Sequence, residues 1–299
     1  MANSVKIDHL LRYANNLPTS LEVVCRLMLM LRNPTQDNSE IVDVLLTDRD
    51  LALRLVGKLS NQDRENLSDN NSALSDDFQA EIHQKVSEAV LQMGYRSLLR
   101  LISALSIGQL LSAECEGYGF PKRSLWYHSA ACGLSCQLLC DILSDTDRPT
   151  YDSSLAFIAG ITHDIGKVCF NKSIFEQRVE IGNLMGKGTK DWTQIEKSLL
   201  GGDHAEVGGI LAKNWQLPKE IVSGIKYHHK PRESCFLSNV IHLSDYIARV
   251  VLPTSGWFNF RVKVKPEIFE NTQLNYQDFD TVVRHIKNEP HLLKLYTQL

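Results

Sequence analysis

His163 and Asp164 stand side by side at the end of an apolar run (Leu155, Ala156, Phe157, Ile158, Ala159, Ile161), and Gly166 follows them. An imidazole beside a carboxylate suits zinc, iron or manganese, which accept mixed nitrogen and oxygen donors. Neighbouring residues of a helix point about 100° apart, so both groups can aim at one ion only where the backbone turns; the glycine is read as supplying that turn. Alone, a His-Asp dipeptide is more often a hydrogen-bonded helix end than a ligand pair. Its company changes the reading. His128, His204, His228, His229 and Asp245 fall on other segments of helical pattern, and five histidines with two aspartates would fill two metal sites of mixed donor character.

The elements that must carry these residues read as helices throughout. Leu155 to Ile161 is apolar on nearly every side, as in a buried helix. Thr193–Leu200, Asp203–Asn214 and Lys219–Tyr227 read as three short helices punctuated by Gly201-Gly202 and Leu217-Pro218, and Ser234 or Asn239 opens another. Upstream, Leu21, Val24, Leu27, Met28 and Leu31, then Ile41, Val42, Leu45 and Leu46, recur at helical spacing, with Asp37 and Asp48 among the candidate caps. Helical pattern runs from Val86 to about Leu111 with a break at Gly94. Residues 60–84, rich in Ser, Asn and Asp, are expected to form an exposed loop. The tract Glu114–Arg123, with two glycines and a proline, reads as a linker, and 171–194 is hard to assign beyond a helix near Ile174–Leu184. After Pro253 the chain reads as irregular, with a short strand conceivable at 261–264 and a terminal amphipathic helix. The domains expected are an N-terminal helical lobe over 1–113, a metal-binding helical core over 114–250 and a C-terminal extension over 251–299 with a terminal helix.

The flanking polar residues have plain readings. Cys132, Cys136 and Cys140 share one helix face and read as core packing. Lys167 and His242 read as solvated or hydrogen-bonded surface groups, and Asp203 as a helix cap. Glu196 either steadies a ligand imidazole or is an exposed helical glutamate. Trp126, Trp215 and Trp257 read as packing, and His83, His285 and His291 as no part of a site.

At 299 residues, with 43% hydrophobic and 22% charged residues, the chain can bury a sizeable core and is not of disordered composition. No apolar run approaches the roughly 18 residues of a membrane span, and the N-terminus lacks the apolar region of a secretory signal. A cytoplasmic protein with no membrane association is expected. Seven cysteines without CxxC spacing fit free thiols in a reducing compartment. A net charge of -3 gives no reason to expect nucleic-acid binding.

The contexts WYHSAA, THDIGK, DHAEVG, YHH and LSDYIA, in that order, resemble the HD superfamily of metal-dependent phosphohydrolases. More closely, LPTSLEVVCRL, DRDLALRLV, VSEAVLQMGYRSLLRLISALSI and GGDHAEVGGILAKNWQLPKEIVSGIKYHH resemble the HDOD family of bacterial signalling proteins over roughly residues 17–250. That resemblance implies an all-α fold, an HD-like helical core with an N-terminal helical lobe. It implies that His128, His163, Asp164 and Asp245 surround one divalent transition metal, Fe, Mn or Zn. Asp164 would bridge to a second ion held by His204, His228 and His229. Asp164 and Lys167 would be the catalytic positions, Lys167 as an accessory residue placed to meet phosphate or to compensate carboxylate charge. The glycine-tyrosine-proline motif that follows the paired histidines in cyclic-di-GMP phosphodiesterases of the HD class is replaced here by KPRESCF after His229.

Three functions are thereby implied: a signalling regulator that binds metal and acts through another signalling protein, an active metal-dependent phosphohydrolase of nucleotides or other phosphate esters, or a scaffold braced by structural metal.

Overall fold

The structure is a computed structural model that describes residues 19–30, 37–60, 76–146, 151–187, 191–252 and 264–297. Among these residues every regular element is helical, and the one β contact is the isolated bridge between Cys115 and Phe120. The all-α expectation holds. No described helix is long and apolar enough to cross a membrane.

Residues 17–108 and 109–298 form two compact units. The first contains α1 (Thr19–Met30), α2 (Asn38–Leu46), α3 (Arg49–Ser60), α4 (Asp76–Met93) and most of α5 (Tyr95–Leu111). Asp37 caps α2 by accepting from the Ser39 amide, and Asp48 accepts from the Leu51 amide at the start of α3. The helical stripes read from sequence become the core of this unit, with Leu27, Leu45, Leu51, Leu55, Val86, Leu98 and Ile102 all buried. Tyr95 donates to the Leu27 carbonyl and Arg54 to that of Leu105, which anchors α1 and α3 to α5. The polar stretch expected as a loop over 60–84 is helical from Asp76 onward, and 61–75 lies outside the described residues. The helix was masked in sequence because its first turns carry only Phe78 and Ile82 as buried apolar residues.

The second unit is built on α6 (Ser124–Ser144), α7 (Ser153–Thr162) and α13 (Phe236–Val251), which pack on one another. Around them lie α8 (Gly166–Glu176), α9 (Arg178–Gly186), α10 (Trp192–Leu200), α11 (His204–Asn214) and α12 (Lys219–Tyr227), then α14 (Pro266–Thr272), α15 (Tyr276–Asn288) and α16 (Pro290–Thr297). The hard-to-assign stretch 171–194 thus resolves largely into helix. Residues 261–263 of the conceivable strand, and Trp257, lie outside the described residues. Trp126 and Trp215 are buried, as are Cys132, Cys136 and Cys140, in keeping with packing roles. The tract Glu114–Arg123 is not an exposed tether: it contains a short 3-10 turn, and Tyr118 is buried.

The approach of α6 to α7 depends on two glycines facing each other. A Cβ on Gly160 would lie 2.6 Å from the Gly133 Cα, and one on Gly133 would lie 2.4 Å from the Ile161 Cγ2. The helices meet backbone to backbone where any side chain would wedge them apart. His128 and His163 are the polar residues that this contact brings together, with ring centroids 5.4 Å apart.

Candidate metal centre

Each of the seven predicted ligands is delivered by the end or inner face of a helix in the second unit. α7 is started by Asp152, whose carboxylate accepts from the Ser154 and Leu155 amides, and it ends at Thr162, so His163 is its C-cap. The turn through Asp164 and Ile165 leads directly into α8 at Gly166. The glycine is not needed for its backbone angles, since no positive φ is found there. It is needed for space: a Cβ would lie 2.0 Å from the His204 carbonyl oxygen. That bare backbone lets α8 meet the start of α11, where Asp203 and Glu206 form a capping box and His204 is the first helical residue. His228 caps the end of α12, His229 follows it, His128 lies in the second turn of α6, and Asp245 lies on the buried face of α13.

All seven converge. The ligand atoms of Asp164, His204, His228 and His229 lie within 4.8 Å of one another, and so do those of His128, His163 and Asp245. Asp164 stands between the two groups. Its Oδ1 is 3.2 Å from His204 Nε2 and 4.0 Å from His228 Nε2, and its Oδ2 is 3.4 Å from His163 Nε2 and 3.8 Å from His128 Nε2. His83, His285 and His291 are exposed and belong to neither group.

Hydrogen bonds on the far side of the rings fix which nitrogen faces inward. Nδ1 of His163 lies 2.7 Å from the Gly160 carbonyl, and Nδ1 of His228 lies 2.7 Å from that of Ile225. A carbonyl only accepts, so these Nδ1 atoms carry the proton and Nε2 turns a lone pair into the pocket. His204 Nδ1 is 2.7 Å from Glu196 Oε2, and its amide donates to the same oxygen at 2.8 Å. Glu196, left open between two roles by sequence, is fully buried and steadies this imidazole. Its other oxygen accepts from the Tyr118 hydroxyl at 2.6 Å.

Two readings of surface residues are corrected. Lys167 is buried because the i to i+3 spacing of α8 carries its ammonium back onto Asp164 Oδ2, beside the rings of Tyr118 and Phe120. His242 is buried because Nδ1 is tied to the His228 carbonyl at 2.7 Å. Tyr118 and Arg249 had no role in the sequence reading. Arg249 meets Asp245 with a two-pronged contact, Nε to Oδ1 at 3.0 Å and Nη2 to Oδ2 at 2.9 Å. The i, i+4 spacing of that pair was a usable signal, whereas Tyr118 sits in a tract without periodicity.

The electrostatics fit a cation. Burial alone would raise the carboxyls of Asp164 and Asp245, but Lys167 beside the first and Arg249 beside the second hold both well below the usual range. Burial and neighbouring imidazoles press His228 and His229 well below theirs, and burial lowers His128. Burial opposes charge on His204 as well, yet Glu196 outweighs it and pushes that imidazole up to about 9. Nε2 of His204 lies 2.8 Å from Nε2 of His229, so one of the two rings holds a proton there, and a metal bound between them must displace it. Nε2 of His128, His163 and His228 and Oδ1 of Asp164 are buried without a hydrogen bond; the close distances from His128 to Asp245 and from His204 to Asp164 lack the alignment for one. A buried polar atom left so costs about 1–3 kcal/mol. Four of them converging, all imidazole nitrogen or carboxylate oxygen, fit a divalent transition metal held by these residues.

A helical bundle whose histidines and aspartates converge from helix ends and inner faces is the class that this fold and site define. The chain belongs to the HDOD domain family, whose sequence profile matches residues 17–231, a span that stops short of Asp245. In solved structures the same fold occurs in an HDOD domain protein of unknown function from Geobacter sulfurreducens, 22% identical, with a TM-score of 0.66 over 98% of this chain and 96% of that one. It occurs also in a candidate phosphohydrolase from Shewanella amazonensis, 21% identical, with a TM-score of 0.65 over 99% and 98% of the two chains. An uncharacterized protein of Treponema pallidum (strain Nichols) is 23% identical over 210 residues, 65% of this chain; the match spans 39% of that protein's length.

Proposed function

We propose that this chain is a metal-binding signalling regulator, with a buried centre for divalent iron, manganese or zinc and an output made through another signalling protein. The observation that carries the reading is enclosure: His163, Asp164, His204, His228 and Asp245 are each no more than 1% exposed. Closed sites brace structure, whereas catalytic ones keep an open coordination position. Only His229 among the seven is more than slightly accessible. Asp164, with one oxygen toward each trio of ligands, is suited to lie between two ions.

Metal-dependent hydrolysis of a phosphate ester or nucleotide is the second reading, favoured by Lys167, a cation beside the central carboxylate where phosphate charge would be met. Bound dications there would polarise phosphoryl oxygens and lower the pKa of water to about 7. Lys167 would first have to loosen its hold on Asp164. The replacement of the glycine-tyrosine-proline motif by KPRESCF speaks against cyclic-di-GMP as a ligand.

The test is to purify the chain without chelators, measure its metal, and assay phosphomonoesters, phosphodiesters and nucleotides beside an Asp164→Ala control. Bound metal with no turnover, together with a partner captured through the N-terminal lobe, supports the regulator. Metal-dependent turnover abolished by Asp164→Ala replaces it with the hydrolase, and absence of any metal refutes both.

A further inference from the structure

The two ligand groups are not equally ready for a cation. Asp164 Oδ1, which faces His204 and His228, makes no hydrogen bond. Asp164 Oδ2, which faces His128 and His163, is held by the Lys167 ammonium. Asp245 is the other carboxylate of that second group, and Arg249 engages both of its oxygens. A guanidinium fork takes one lone pair on each oxygen and leaves the carboxylate less basic. Every carboxylate oxygen offered to the His128 and His163 rings is thus already matched to a protein cation. The oxygen offered to His204, His228 and His229 carries no hydrogen bond and meets no lysine or arginine.

Charge sharpens the difference. Arg249 balances Asp245, so a dication entering the His128, His163 and Asp245 group gains no net carboxylate charge from it while that pair is intact, and repulsion between cations grows steeply with burial. Arg249 cannot relieve this by losing a proton. It can relieve it by moving, because its side chain is 20% exposed at the outer end of the pair while Asp245 is 2% exposed.

Resting on the metal-binding reading above, we infer that Arg249 is a positioning residue that makes the two sites fill in order. The Asp164, His204, His228 and His229 site takes the first ion. The His128, His163 and Asp245 site takes a second only when the Arg249 fork releases Asp245. The protein therefore works as a one-metal centre with a guarded second position.

The experiment is a titration of metal-free full-length chain with manganese(II), followed by bound stoichiometry and by electron paramagnetic resonance, which separates an isolated ion from an exchange-coupled pair. Wild type is expected to bind one ion tightly and to show an isolated-ion spectrum. Arg249→Gln, which keeps polarity but removes the charge, is expected to bind the second ion at least roughly tenfold more tightly and to show the coupled pair. A merely structural role for Arg249 predicts the opposite, a loss of metal. Arg249→Lys, with the charge but not the fork, is expected to fall between them. Two ions of similar affinity in wild type overturn the inference, as does an Arg249→Gln chain that still binds one. If Arg249→Gln does not fold, the wild-type titration and Arg249→Lys decide. Absence of binding in every chain marks failure of the metal-binding reading itself, and the inference falls with it.

Discussion

Glu196 grips His204 twice, through the ring Nδ1 at 2.7 Å and through the backbone amide at 2.8 Å, so a single carboxylate sets both the tautomer and the position of one ligand. Glu196→Gln keeps an accepting oxygen but removes the charge that makes the ring basic. We expect metal affinity to fall about 10- to 100-fold while the fold is retained. Competition with a calibrated chelator measures it; unchanged affinity would show that the contact is ornamental to binding.

Asp164→Ala should lose more metal than any single histidine change, because Asp164 is within reach of both ligand groups. It also strands the buried Lys167 ammonium, a loss of about 3–5 kcal/mol in unfolding free energy. Adding Lys167→Met should restore much of that stability without restoring metal. Elemental analysis and denaturant titration report the two effects separately, and recovery of metal in the double variant would contradict the assignment.

Gly160→Ala inserts a methyl into the contact with Gly133, and either the helices separate or the backbone shifts. The expected cost is about 1–3 kcal/mol, with weaker metal binding because His128 and His163 move apart. A thermal midpoint equal to wild type would mean that α6 and α7 can part freely.

Burial pushes the Cys115 thiol up to about 12. A thiol that ionises more readily unfolded than folded adds stability that is intact below pH 9 and lost as pH climbs toward 12. Between pH 7 and 10, Cys115→Ala should therefore lose less unfolding free energy than wild type, by about 1.4 kcal/mol. Parallel curves from urea titrations across that range would exclude it.

Much of this centre was legible in sequence for a physical reason. His128, His163, His204, His228, His229 and Asp245 each sit on or just beyond a helix whose apolar stripe or cap could be read locally, and the three short helices from Trp192 to Tyr227 appear within a residue or two of their expected limits. What stayed hidden depends on tertiary contact. The burial of Lys167 and His242 is caused by partners on other turns or other helices, and Tyr118 reaches Glu196 from a tract whose glycines and proline suggested open chain. Gly166 stands where the sequence marks a turn, but its value lies in the carbonyl of His204 that it admits rather than in its backbone angles. The helix over residues 76–84 is hard to see in sequence because only Phe78 and Ile82 mark its buried side.

The 2.9 Å approach of His128 to Asp245 joins residues from opposite ends of the metal-bearing chain segment. Contacts of such long sequence separation form late, after the loop between them has been closed at an entropic cost. The His128, His163 and Asp245 group is therefore complete only where α6 packs against α13. The Asp164, His204, His228 and His229 group is drawn from a shorter stretch of chain and asks for no such closure.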